Sequence, residues 1–480
     1  MAGRMAGRVT GRVTGRMAGR MRGPSRAEHL SPPQLFVLSF AGLIAAGAAG
    51  LRLVPAFYAP GEVPLSWLDA AFTATSAVCV TGLAVVDTAT RFSIWGQAWI
   101  LLLIQLGGLG IIALTSLVTV ALGRRLSLRA ESLTVSAIWA APHLSERQLV
   151  RDVVLFTLVI EAVGAAALWL AFLPHLGAGG AVWPAVFHSI SAFCNAGFST
   201  FSTNLVGFER DPAVLGIVGL LIVVGGLGFL TLEEIAHWLR ARRERRFRLS
   251  LHSRIALTVT ALLLVGGTLA AAAAEWNGVF AHLDPADRWL GAAFFSVTAR
   301  TAGFNSTDYG AIGSTSAFLT ILLMFVGGNS GSTAGGVKTT TIALVAMLAY
   351  HRFRGRTSTG AFGRSVPPET VERAVGITSL AFAVVTLGIF ALTVTEGYGL
   401  RAPDARADLF LAQMFEAVSA LGTVGLSMNL TPTLSDAGKV VVILLMFLGR
   451  TGPLTAAAVF ARTSRGSEVV RYAHEDVLVG

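Results

Sequence analysis

Long and short apolar stretches alternate along the chain, and the alternation recurs four times. Pro33–Val54 is long enough to cross a bilayer as a helix, which takes about 20 apolar residues. Trp67–Cys79 is equally apolar but too short, and Ile94–Leu122 is long again. The same order follows in Val150–Leu173, Trp183–Cys194 and Leu215–Leu239. It returns in Ile255–Ala274, Trp289–Ala299 and Phe318–Met347, and in Val375–Val394, Leu409–Leu421 and Val440–Phe460. The pattern predicts an all-α membrane protein of four pseudo-symmetric span–pore helix–span repeats. Eight spans and four re-entrant hairpins would surround a central pore. The repeats fall at 33–122, 148–240, 252–350 and 370–463, between a disordered basic tail (1–32) and a C-terminal tail (464–480).

The short segments align on one glycine. They run Ser-Ala-Val-Cys-Val-Thr-Gly82-Leu, Ser-Ala-Phe-Cys-Asn-Ala-Gly197-Phe, Val-Thr-Ala-Arg-Thr-Ala-Gly303-Phe and Ser-Ala-Leu-Gly-Thr-Val-Gly425-Leu, at intervals of 115, 106 and 122 residues. Phe72, Phe187 and Phe415 share the position ten residues earlier, where the third repeat has Ala293. A repeat with a fixed internal register outweighs any single motif. The glycines could serve only close helix packing. Four in one context, each after a short helix, favour a second use. Successive carbonyls aimed inward need backbone angles open mainly to glycine, and a ring of such carbonyls can replace a cation's hydration shell. Each short helix would also aim its negative C-terminal end at the ion.

One long segment is irregular. Gly327–Gly336 (Gly-Gly-Asn-Ser-Gly-Ser-Thr-Ala-Gly-Gly) interrupts Phe318–Met347 and is followed by Lys338. Non-helical backbone at membrane depth survives only where it is buried in protein or lines water. A broken helix beside a transport pathway is expected here. The matching spans of the first two repeats carry only Gly107-Gly108-Leu-Gly110 and Gly225-Gly226-Leu-Gly228, so the third appears as the one that departs.

Composition agrees with a polytopic membrane chain: of 480 residues, 54% are hydrophobic and 13% charged. The net charge of +10 is carried almost entirely by arginine, and 27 of the 37 basic residues fall in the tails and inter-repeat linkers. By the positive-inside rule those segments and both termini are cytoplasmic. The opposite loops hold acids such as Asp87, Asp308 and Asp436, which would gather cations at the mouth. Cys79 and Cys194 sit in apolar hairpins and are expected as free thiols. No metal, haem, nucleophile or phosphate-loop spacing is present, so no enzyme and no nucleic-acid partner is expected.

With these residues in place the sequence resembles the Trk/Ktr/HKT potassium transporter superfamily from about residue 33 to 465. Ser296–Asn305, Ala420–Ser427 and the Gly327–Lys338 stretch carry the resemblance. The lack of two further spans before the first repeat points to the Ktr-type membrane subunit. Gly82, where sodium-preferring plant members often have serine, implies potassium. The implied selectivity filter is Val80, Thr81, Gly82 and Leu83; Asn195, Ala196, Gly197 and Phe198; Thr301, Ala302, Gly303 and Phe304; and Thr423, Val424, Gly425 and Leu426, with K+ the transported ion and Na+ an optional activator. The implied gate is Gly327, Gly328, Asn329, Ser330, Gly331, Ser332, Thr333, Ala334, Gly335, Gly336, Lys338 and Arg450. The family further implies a homodimer in the plasma membrane and a cytoplasmic nucleotide-binding regulatory ring of the KtrA/TrkA kind. No cofactor is implied in this chain.

Single charges at membrane depth need partners. Arg300, three residues before Gly303, is expected to turn from the axis and pair with Glu416 on the fourth short helix. Arg450 interrupts the last span, where Gly449 and Pro453 would bend it. Lys338 either snorkels to the cytoplasmic interface or contacts the gate. Glu161 is a lone acid in mid-span, open to a hydrogen bond with a neighbouring helix, a subunit contact or protonation. Two other classes compete. A Na+- or Na+/K+-translocating member of the superfamily would keep the same architecture. An anion transporter with arginine clamps would more commonly show two inverted halves.

Overall fold

The structure, a computed structural model, describes residues 32–109, 146–240, 249–397 and 403–452. The C-terminal tail, Pro453, and nearly all of the N-terminal tail lie outside them. Among the described residues four helices are long and apolar enough to cross a membrane, or five with the bent pair described below: α1 (Pro32–Leu53), α4 (Glu146–Gly180), α8 (Leu251–Glu275) and α12 (Pro368–Glu396). Each faces outward with large apolar side chains, among them Leu158 and Val163, Leu262 and Val265, and Phe382 and Phe390. A water-facing surface would not carry such stripes, and the chain is a helical multi-pass membrane protein.

Each long helix packs against the short helix that follows it in sequence. The short helices are α2 (Trp67–Val78), α5 (Val182–Phe193), α9 (Pro285–Thr298) and α13 (Pro403–Gly422). Their starts follow ordinary capping chemistry. Ser66, for example, accepts the Asp69 N–H at 3.1 Å. Proline opens both α9 and α13, where its missing N–H costs nothing. The aligned Phe72, Phe187 and Phe415 are all fully buried.

After the glycine of each repeat comes another helix: α3 (Ile94–Gly108), α6 (Pro212–Leu227) continued by α7 (Phe229–Arg240), α10 (Ser314–Phe325) resumed as α11 (Thr339–Phe353), and α14 (Asp436–Thr451). These build a ring. α3 packs on α5, α6 on α9, α10 on α13, and α14 returns to α2. An ion pair between Lys439 Nζ and Asp69, at 2.8 Å, locks that last closure.

The expectation that only the third repeat carries a broken helix, with a bend in the fourth near Gly449, needs correction. α6 and α7 bend by 103° at Gly228, whose φ of 85° and ψ of 142° no helix contains. Gly452, three residues after Gly449 just as Gly228 is three after Gly225, adopts 83° and 134° and ends α14. The third repeat differs in degree, since 13 residues rather than one separate its two helices.

Candidate functional site

The four aligned glycines meet. A Cβ built on Gly82 would lie 2.5 Å from the Ala196 carbonyl oxygen, and one on Gly197 would lie 2.8 Å from that of Ala302. On Gly303 it would overlap the Val424 carbonyl, and on Gly425 the Thr81 carbonyl. In every case the carbonyl belongs to the residue before the next repeat's glycine, so the contacts close a cycle. All four glycines have positive φ, between 71° and 96°. Two residues earlier, Val80, Asn195, Thr301 and Thr423 are also left-handed, at 48° to 66°. Such angles cost a residue with a Cβ about 1 kcal/mol or more. The same alternation of a left-handed residue and a glycine recurs in all four repeats.

Braces behind the strands hold that backbone. Ser76 and Ser419 hydroxyls accept the N–H of Gly82 and Gly425, each at 3.1 Å, and Ser191 donates to the Phe198 carbonyl at 2.8 Å. The third repeat has Val297 at this position, and the neighbouring Thr298 hydroxyl donates to the Phe304 carbonyl instead. Behind three strands the following helix also presses close. A Cβ on Gly107, Gly225 or Gly449 would overlap the carbonyl of Val78, Phe193 or Leu421. In the sequence these serines stand six residues before three of the four ring glycines and the packing glycines lie in the following spans, but their types carry no sign of bracing.

On one side the ring opens to a cavity of about 550 Å³, lined by all four ring glycines with Asp87, Asp308 and Asn204. On the other side lies the glycine-rich loop. Its neck is closed by the Gly327 N–H donating to the Val337 carbonyl at 2.9 Å, and by the Thr339 hydroxyl donating to the Gly327 carbonyl at 2.6 Å. One flank touches the second repeat: Thr333 Oγ1 donates to Phe193 O at 3.0 Å, and Phe229 N–H donates to Gly331 O at 3.0 Å. The other flank touches the fourth, where a Cβ on Gly335 would overlap the Thr423 hydroxyl. The loop therefore reaches across from the second repeat to the fourth.

Two arginines grip it. Arg450 donates to the carbonyls of Thr333 in the loop and Gly107 in α3. Arg300 donates to Thr339 Oγ1 at 3.2 Å. Its expected ion pair with Glu416 does not form. Glu416, fully buried, instead accepts from Ser427 at 2.7 Å and from Thr431. Glu416 thus faces chain on the cavity side of the ring, whereas Arg300 reaches inward to the loop. Lys338 does not snorkel to an interface but donates to Ala334 O at 2.6 Å within the loop. Glu161 accepts from Gln105 of α3 at 3.0 Å, the first of the three alternatives open to it. Both cysteines are free and buried. Among the described residues no group of His, Cys, Asp and Glu has the arrangement of a metal site.

The profile of the TrkH family, described as cation transport protein, matches residues 53–469. The chain belongs to the TrkH cation transport family. Relatives of this TrkH-family chain include the Ktr system potassium uptake protein B of Bacillus subtilis, 39% identical over 94% of this chain and 97% of its own length. The potassium/sodium uptake protein NtpJ of Enterococcus hirae is 36% identical over 94% of this chain and 98% of its own. Among solved structures, the potassium transporter TrkH from Vibrio parahaemolyticus superposes with a TM-score of 0.69 at 21% identity, covering 91% of this chain and 86% of that one. The TrkH fold accounts for the helical architecture, and TrkH membership makes this a transporter family rather than an enzyme class.

Proposed function

We propose that this chain is the potassium-translocating membrane subunit of a K+ uptake system. The closed cycle in which each ring glycine meets the next repeat's carbonyl carries the reading, because four convergent carbonyls are what replaces the water of a cation. Val80–Leu83, Asn195–Phe198, Thr301–Phe304 and Thr423–Leu426 form the selectivity filter. Four pseudo-symmetric repeats supply eight spans in the plasma membrane, with both termini cytoplasmic. Flow is channel-like and needs no cofactor in the chain. The loop from Gly327 to Gly336, held by Arg300, Lys338 and Arg450, is the gate beneath the filter.

A homodimer with one path per chain follows from the family resemblance, as does a soluble nucleotide-binding regulator docked on the arginine-rich face. The B. subtilis relative named as part of a Ktr system supports a multi-component assembly. A second reading, transport of both K+ and Na+, is favoured by the relative named for potassium and sodium. Uptake of rubidium and sodium by a potassium-uptake-deficient bacterium expressing the chain with its regulator decides between them. Growth on low potassium, lost in Gly82→Ser and Gly303→Ser, is expected. Absence of rescue, or anion uptake, overturns the proposal.

A further inference from the structure

Nine residues before the ring glycine, the four short helices carry Thr73, His188, Phe294 and Glu416; two residues after it stand Ala84, Ser199, Asn305 and Ser427. In two repeats these positions are bonded to one another. His188 is fully buried, and its Nδ1 lies 2.7 Å from the Pro184 carbonyl. A carbonyl only accepts, so Nδ1 carries the proton. Nε2, 2.9 Å from Ser199 Oγ, is then the acceptor of the serine hydroxyl. Ser199 Oγ in turn accepts the Phe201 N–H at 3.0 Å. The fourth repeat builds the same relay from different chemistry. Glu416 accepts from Ser427 at 2.7 Å, and Ser427 Oγ accepts the N–H of Leu430 and Thr431 at 3.1 and 3.3 Å. The first repeat has no counterpart: Ala84 lacks a hydroxyl and the buried Thr73 hydroxyl has no partner. In the third, Phe294 can neither donate nor accept.

The ring contacts run first to second to third to fourth and back, so the second and fourth repeats face each other. We infer that His188–Ser199 and Glu416–Ser427 are matched braces. They fix the width of the glycine ring along one diagonal, making these four side chains specificity-determining positioning residues for the transported cation. The inference rests on the proposed role of the ring as the ion path. A ring free to narrow along that diagonal coordinates the smaller sodium ion as well as potassium. The first and third repeats, on the other diagonal, lack this pairing and keep only the backbone braces of Ser76 and Thr298.

The test compares Ser199→Ala, Ser427→Ala and the double variant with the unaltered protein, each in proteoliposomes with its regulator, for rubidium and sodium flux. One net hydrogen bond is worth about 1 kcal/mol, so each single variant is expected to lower the rubidium-to-sodium ratio roughly fivefold, and the double variant further. Glu416→Gln keeps an acceptor oxygen and retains most of the ratio, whereas Glu416→Leu loses it. Thr73→Val, at the equivalent but unbonded position, retains it fully. For any variant too inactive for flux, the difference in melting temperature between potassium and sodium, measured in detergent, is expected to shrink. A selective unaltered protein with unchanged ratios and melting differences in both serine variants overturns the braces alone. An unaltered protein that does not conduct potassium overturns the proposed function, and the braces with it.

Discussion

The ring and the loop are both rich in glycine, and the ring uses it for an end opposite to that at the loop's tip. At Gly82, Gly197, Gly303 and Gly425 the missing side chain is space: another strand's carbonyl occupies it. At Gly331, in the tip of the loop, a Cβ would meet nothing within 4 Å, and the glycine supplies only a φ of 74°. The ring is held by backbone pressed on backbone, as interiors are. The loop is held by side-chain donors: Arg450 and Lys338 bond its carbonyls, Arg300 bonds Thr339 at its neck, and its own Thr333 bonds the Phe193 carbonyl. On the proposed reading one region keeps a dimension and the other is released, and glycine content alone does not tell them apart.

The largest effect that would break this contrast is at Gly425. Gly425→Ala puts a methyl into the Thr81 carbonyl and is expected to cut potassium uptake on the order of 100-fold, a barrier of ~3 kcal/mol, in membranes holding normal amounts of protein. Near-normal uptake would mean the ring can give. Next, removing Ser330–Ser332 from the loop discards the bond of the Phe229 N–H to the Gly331 carbonyl and pulls Asn329 and Thr333 from their partners in the second repeat. At about 1 kcal/mol per hydrogen bond, basal rubidium flux is expected to rise roughly tenfold and to respond less to the regulator. Unchanged flux in a folded deletion would leave the loop a mere helix break.

Arg450→Lys comes third. A lysine can reach only one of the two carbonyls that the guanidinium fork joins, so basal flux is expected to rise a few-fold, with Arg450→Ala higher still. The smallest effect belongs to Gly331→Ala. It meets open space but a left-handed backbone, and is expected to cost about 1 kcal/mol of loop stability. Uptake within twofold of the unaltered protein would fit. A loss like that of Gly425→Ala would erase the distinction.

Much of the architecture was legible because the membrane enforces it. Segment length separates α1, α4, α8 and α12 from the short helices, and the register of Gly82, Gly197, Gly303 and Gly425 aligns them. The left-handed angles at Val80, Asn195, Thr301 and Thr423 were not legible, because those side chains carry no sign of a conformation imposed by tertiary packing. Arg300 and Glu416 were paired on charge alone. Their true partners, Thr339, Ser427 and Thr431, are hydroxyls, and hydroxyls are too common to single out in a sequence. The 103° bend at Gly228 was hidden by an apolar run unbroken through Leu215–Leu230, since hydrophobicity reports depth but not direction.

The Lys439–Asp69 ion pair joins residues 370 positions apart, and α2 has no neighbour on that side until α14 arrives. At roughly 5 to 20 residues per second, the first repeat waits about 20 to 75 s on the ribosome before its last wall exists. Through that interval the strand around Gly82 has no fourth-repeat glycine against it. Assembly of the ring therefore waits for the fourth repeat. A chain stopped short of α14 would present an open crescent to the bilayer, recognisable to quality control as unfinished although most of its helices are in place.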